Sequence, residues 1–207
     1  MEESQPVDLA MIYDHLSRHG AVLGHMSTTT KDNSDPSPHI IEDRLKLLGL
    51  ALPAPFEDAP MKVKTPFSWI RLRGNRAYIS GHGPQNLDGS IAGPFGKVGG
   101  EVSEEQAYRS ARLATLSILG NLKRQLGSLD KVTAWLVING FVNVEAGFTK
   151  TTAVINGCSE LILQLYGEDA GRHARTAMGV AMTPFDLPVI IAGEVEISMM
   201  TNATSQF

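Results

Sequence analysis

Cysteine is almost absent: the 207 residues hold one, Cys158. No internal disulfide can form, and such a chain fits a reducing compartment. A basic excess is also lacking, since 18 Lys and Arg stand against 22 Asp and Glu. The net charge of −4 gives no electrostatic footprint for nucleic acid. No apolar run approaches the roughly 20 residues that cross a bilayer as a helix, so no membrane partner is expected. The N-terminal stretch has neither the basic start nor the small-residue cleavage site of a secretory signal. Glu2, Glu3, Asp8 and Asp14 argue against an Arg-rich transit peptide, which leaves the cytoplasm as the expected location. His15, His19 and His25 have no Cys or acidic partners at ligand spacing, so no metal is expected. The glycine-rich stretch 89–100 contains Lys97 followed by Val98, where a phosphate loop would need Lys followed by Ser or Thr. No cofactor is therefore expected.

Two regions are present. Residues 1–38 carry a weak helical pattern (Leu9, Ile12, Tyr13, Leu16) and then a Ser/Thr/Asp/Pro-rich run, and read as a flexible extension or linker. Residues 39–207 have the apolar patterning of a folded domain. Ile41, Leu45 and Leu48 recur at helical spacing before Gly49. Phe67–Arg73 and Arg76–Ser80 flank Gly74-Asn75, a hairpin signal. Ser103 caps a helix to about Leu126, with Gln106 in capping-box position and a stripe of Ala107, Ala111, Ala114, Ile118 and Leu122. Lys131–Val142 reads as a strand. A second helix spans about Thr149 to Tyr166, stopped by Gly167, with Val154, Cys158, Leu161 and Leu165 inward. Cys158 on that stripe reads as a core filler. A strand over His173–Met182, a proline turn and a last strand over Val189–Met199 complete an α+β layer with both helices on one face of the sheet.

The strand His173–Met182 carries the most specific chemistry. A period of two puts Thr176, Met178, Val180 and Met182 on one face, apolar enough to lie under the helices. Arg175, Ala177, Gly179 and Ala181 then share the other. A guanidinium above small residues suits a small carboxylate, which it can grip bidentately. The plainer alternative is an arginine that snorkels or pairs with a nearby Glu. His82 and His173 are the candidates for proton transfer, against the commoner role of a turn histidine bonded to backbone.

Taken in order, Gly74-Asn-Arg-Ala-Tyr-Ile-Ser-Gly81, Val154-Ile-Asn-Gly157, Ala174-Arg-Thr-Ala-Met-Gly-Val180 and the proline-turn-strand ending resemble the Rid family of reactive intermediate deaminases. This family is also called YjgF or endoribonuclease L-PSP proteins, and the resemblance covers about 40–199. It implies a chorismate-mutase-like fold and a homotrimer with ligand clefts between subunits. It also implies hydrolysis of enamines and imines to 2-keto acids and ammonia. Arg175 matches the arginine that grips the substrate carboxylate, Ser80 and Gly81 the strand-end pair near the ligand, and Asn156 the cleft asparagine. His82 is placed beside that pair. Phe67 stands where active members commonly carry a tyrosine, and Ile190 where they carry the glutamate thought to position water.

Alternation along the last strand points Ile190, Ala192, Glu194 and Glu196 away from the helices. Glu194 lies four residues from Ile190, about 13 Å at ~3.3 Å per residue, too far to replace the missing glutamate. Three functions remain open. The chain hydrolyses reactive enamine or imine acids, or holds a small carboxylate without turning it over, or cleaves RNA as the older family name suggests. The acidic charge and the lack of a His pair weigh against the last.

Overall fold

In the computed structural model, residues 39–56 and 66–198 are described. They run as a short helix α1 (Ile40–Leu47), a hairpin of β1 (Ile70–Arg73) and β2 (Arg76–His82), and helix α2 (Glu104–Leu126). Strand β3 (Val132–Asn143), helix α3 (Thr151–Gly171), β4 (Ala174–Val180) and β5 (Val189–Ile197) follow. The extension expected over 1–38 lies outside the described residues, and so does Met199, the expected end of the last strand.

Helix α2 begins where local chemistry starts it. The Ser103 side chain accepts from the Gln106 N–H, and the Gln106 side chain accepts from the Ser103 N–H, so the capping box closes both ways. Ala107, Ala111, Ala114, Ile118 and Leu122 are all fully buried, as their spacing requires. In α3 the inward stripe Val154, Cys158, Leu161 and Leu165 is equally buried. Full burial of a Val, Leu or Ile side chain is worth about 1.5–3 kcal/mol, so Ile118, Leu122, Val154, Leu161 and Leu165 carry most of what the two stripes contribute, while the alanines let the helices lie close. Gly167 has φ 76°, ψ −177° and breaks α3 there, but one further turn reaches Gly171. The expected stop is thus an interruption. The thiol of Cys158 is pushed up to about 12, mainly by burial, so it is an inert filler.

The sheet order is β1-β2-β5-β3-β4. Only β3 and β4 are parallel, and α3 makes the crossover such a pair needs. Val189, Ile191, Val195 and Ile197 of β5 are buried under the helices. Ile190 and Glu194 therefore face the open side, as alternation requires.

Strand β4 has the reverse of the expected facing. Arg175, Ala177 and Gly179 lie on the helix side: Ile138, Gly140 and Val142, opposite them in register, are the inward residues of β3. Arg175 bonds to α3, and a Cβ on Gly179 would sit 2.9 Å from Val144 Cγ2. Thr176 and Met178 face the open side, and Met178 is 55% exposed. Small residues belong beneath α3 because that helix approaches closely. An added Cβ on Gly140 would stand 2.5 Å from Ile155 Cδ1. Close packing outweighs hydrophobicity at this edge.

Candidate functional site

The Val154-Ile-Asn-Gly157 turn of α3 serves both sides of the helix. Val154 and Ile155 enter the core, and Gly157 lets α2 pass, since a Cβ there would lie 2.2 Å from the Tyr108 carbonyl oxygen. Asn156 is left to face β4. Its Oδ1 accepts from Arg175 Nη1 at 2.8 Å, and Ser159, three residues on along the same face, accepts from the same nitrogen at 3.0 Å. Ser159 Oγ lies 2.9 Å from His173 Nε2, and His173 Nδ1 lies 2.7 Å from the Gly171 carbonyl oxygen. That carbonyl can only accept, so Nδ1 carries the proton and Nε2 accepts the Ser159 hydroxyl. Burial, with Arg175 adding to it, holds His173 below its ordinary range against the Gly171 bond, which favours the neutral ring. Arg175 has no carboxylate in ion-pair reach among the described residues. It opens on a recess of about 200 Å³ shared with Ser159, Leu163, Arg172 and His173.

A second concavity, about 300 Å³, lies where β2 ends, walled by Phe67, Trp69, Gly81, Phe185, Leu187 and Ile190. Phe56 and Phe67 stand edge-on to Trp69 at 5.7 and 5.1 Å, and Trp69 meets the His82 ring at 5.2 Å. Gly81 is glycine because of Ile190: a Cβ would come within 2.8 Å of Ile190 Cγ2. Phe185 and Asp186 both hold positive φ, 58° and 56°. Such residues cost roughly 1–3 kcal/mol each and persist where surrounding bonds over-determine them. Asn143 supplies these, donating to Asp186 Oδ1 at 2.9 Å while Gly96 N–H donates to the Asp186 carbonyl oxygen at 2.7 Å.

Two expected site residues are engaged in holding structure. Ser80 Oγ donates to the Ser68 carbonyl oxygen at 2.8 Å and ties down the segment that carries Phe67 and Trp69. His82 is buried, with Nδ1 2.6 Å from the Ser80 carbonyl oxygen and Nε2 2.9 Å from Asn121 Nδ2. Burial drives its pKa down to about 4, so the ring is neutral with both nitrogens occupied. It walls the pocket and is not placed as a proton carrier.

Within one chain the two concavities are separate. His82 pairs with Ile191, Ile191 with Gly140 and Gly140 with Ala177. Arg175, two residues along β4 from Ala177, thus lies about three strand spacings across and two residues along from the β2 end, ~16 Å, with Ile190 on the opposite face of the sheet. Arg175 and Asn156 are brought together, and so are Phe67, Gly81, His82 and Ile190. Sequence reasoning missed Ser159 and Trp69. The three-residue spacing from Asn156 marks Ser159 on the same helix face; Trp69 has no local signal, because the His82 and Phe56 rings reach it through the fold.

A family model described as "YjgF/chorismate_mutase-like, putative endoribonuclease" matches residues 42–192. Protein TCP17 of Trypanosoma cruzi is 35% identical over 154 residues, which span 74% of this chain and 92% of that protein. A crystal structure of an Agrobacterium tumefaciens protein of unknown function is 39% identical and superposes with TM-score 0.67, covering 77% of this chain and 94% of that one. Another, of a "putative endoribonuclease" from Shewanella oneidensis, is 25% identical with TM-score 0.69, covering 76% and 99%.

Proposed function

This chain belongs to the YjgF/chorismate mutase-like family, the Rid proteins, and from that premise we propose that it binds a small 2-keto, enamine or imine acid through Arg175. The observation that carries this reading is the state of the guanidinium. Its Nη1 is held by two neutral oxygens, Asn156 Oδ1 and Ser159 Oγ. The two bonds fix the planar fork, and no acidic side chain among the described residues neutralises it. A fixed, uncompensated guanidinium beside a recess is complementary to a carboxylate. The outcome expected from calorimetry with 2-ketobutyrate and benzoate is a loss of about 1.5–3 kcal/mol of affinity in Arg175→Ala, roughly ten- to a hundredfold. Arg175→Lys keeps the charge and loses the fork, and falls between. Equal binding by wild type and Arg175→Ala removes the assignment.

The ligand site is completed by a second copy. Arg175 and the Ile190 pocket cannot meet within one protomer, and the open sheet face exposes Tyr78, Phe141 and Met178 at 43%, 37% and 55%. A neighbour's sheet edge covers these side chains and brings one copy's pocket to another's Arg175. The family resemblance supports a trimer. Sedimentation at micromolar concentration is expected to give three times the 22.3 kDa chain mass, and a monomer would defeat the shared site.

A bound imine acid, or an enamine once its β-carbon has taken up a proton to give the imine, is hydrolysed slowly: water adds to the imine carbon and ammonia leaves, giving the 2-keto acid. The open-face carboxylate nearest in sequence to Ile190 is Glu194, and its Oε1 is committed to Arg76 Nη1. Cleavage of RNA forms no part of this reading, because His82 and His173 both have their ring nitrogens engaged within the fold.

A further inference from the structure

The pocket at the end of β2 is too large and too dry for the smallest acids of the proposed class. Its volume is about 300 Å³, and no charged side chain lines it among the described residues. Most polar atoms in its wall are already bonded elsewhere. Gln85 Nε2 donates to the Gly89 carbonyl oxygen at 2.8 Å, Asn121 is shared between His82 and Arg124, and His82 is closed as described. The rest of the lining is apolar, with Phe67, Trp69, Phe185, Leu187 and Ile190 prominent in it. A cavity of about 150 Å³ already accepts a benzene ring, whereas a methyl group would leave most of this one to water without partners. Phe185 is offered to the space by two left-handed residues, a conformation that tends to persist where function requires it. Ile190 completes the effect, since a carboxylate there would place a charge in the wall.

We propose that the acid gripped by Arg175 carries an aromatic side chain, as an arylpyruvate or its imine does, and that its ring enters the β2-end pocket of the neighbouring copy. This rests on the reading of Arg175 given above. Phe67, Trp69 and Ile190 are then the residues that set specificity, and Arg175 supplies the affinity common to all 2-keto acids.

Calorimetric titration of the full chain with pyruvate and phenylpyruvate, which share a head group and differ by one ring, tests it. Phenylpyruvate is expected to bind about ten- to a hundredfold more tightly, the worth of burying one ring. Phe67, half-exposed, can be truncated without opening the core. Phe67→Ala is expected to shrink that ratio toward one, because it removes a wall of the ring's pocket. Equal affinities, with both acids lost in Arg175→Ala, overturn the aromatic assignment and leave the carboxylate site standing. A phenylpyruvate preference that survives Arg175→Ala at undiminished affinity supports the pocket and overturns the role of Arg175. Failure of both acids to bind overturns both.

Discussion

Hydrolysis of 2-aminoacrylate or iminobutyrate is expected to be 10²–10⁴-fold slower than in a family member carrying glutamate at the position of Ile190, the usual worth of a general base. Ile190 faces the open side, its Cγ2 against Gly81, and lines the pocket. Its alkyl chain can neither orient nor deprotonate water. Glu194, on the same face, is held by Arg76, and moving it one residue along the strand would turn its side chain to the helices. Phe67 likewise lacks the phenol that active members commonly bring. The assay couples a threonine or serine dehydratase, which supplies the enamine, to ammonia or keto-acid release. Ile190→Glu is expected to recover part of the rate, because it points a carboxylate at the same space. Wild-type rates equal to those of an active homologue, unchanged in Ile190→Ala and Ile190→Glu, would show that this position has no part in the chemistry.

Unfolding stability is expected to fall as pH drops from 6.5 towards 4, with roughly 3 kcal/mol of the loss due to His82. In the unfolded chain this histidine takes up a proton near its ordinary value of 6.5, whereas in the fold burial delays protonation to about 4. The contribution is therefore complete above pH 6.5 and lost progressively below it. Protonation would place a cation beside Asn121, whose amide nitrogen already donates to His82 Nε2, with Arg124 bonded to the same side chain. Urea unfolding of wild type and His82→Gln at pH 7 and pH 4.5 separates this effect from the carboxylates, which titrate in both proteins. The wild type is expected to lose more stability between the two pH values. Parallel losses would mean that His82 is more accessible to solvent than the fold makes it.

Much of the architecture is legible from local patterns. The capping box at Ser103 and the alanine stripe of α2 are contained in the residues themselves, since both depend on neighbours three and four positions away. The Val154–Leu165 stripe and the alternation of β5 belong to the same class. Strand β4 does not. Alternation sorts its residues into two sets but cannot say which set faces the helices when neither is plainly polar. Hydrophobicity favoured Met178 inside; the closeness of α3 put Ala177 and Gly179 there. The site divides in the same way. Arg175, Asn156, Gly81 and Ile190 stand out through motifs, whereas the bonds from Arg175 to Asn156 and Ser159 exist only because β4 lies under α3.

The sequence by itself determined the element order, the two buried helical stripes and the absence of a carboxylate at position 190, because each is a property of residues near one another in the chain. Only the tertiary structure decided the rest. It turned Arg175 towards the helix, closed His82 against Asn121, gathered Phe56, Phe67 and Trp69 into a dry pocket, and set that pocket three strands from the arginine. These depend on the order of strands in the sheet and on the distance at which a helix crosses it. Both are set by packing among residues far apart in sequence, so no local pattern encodes them.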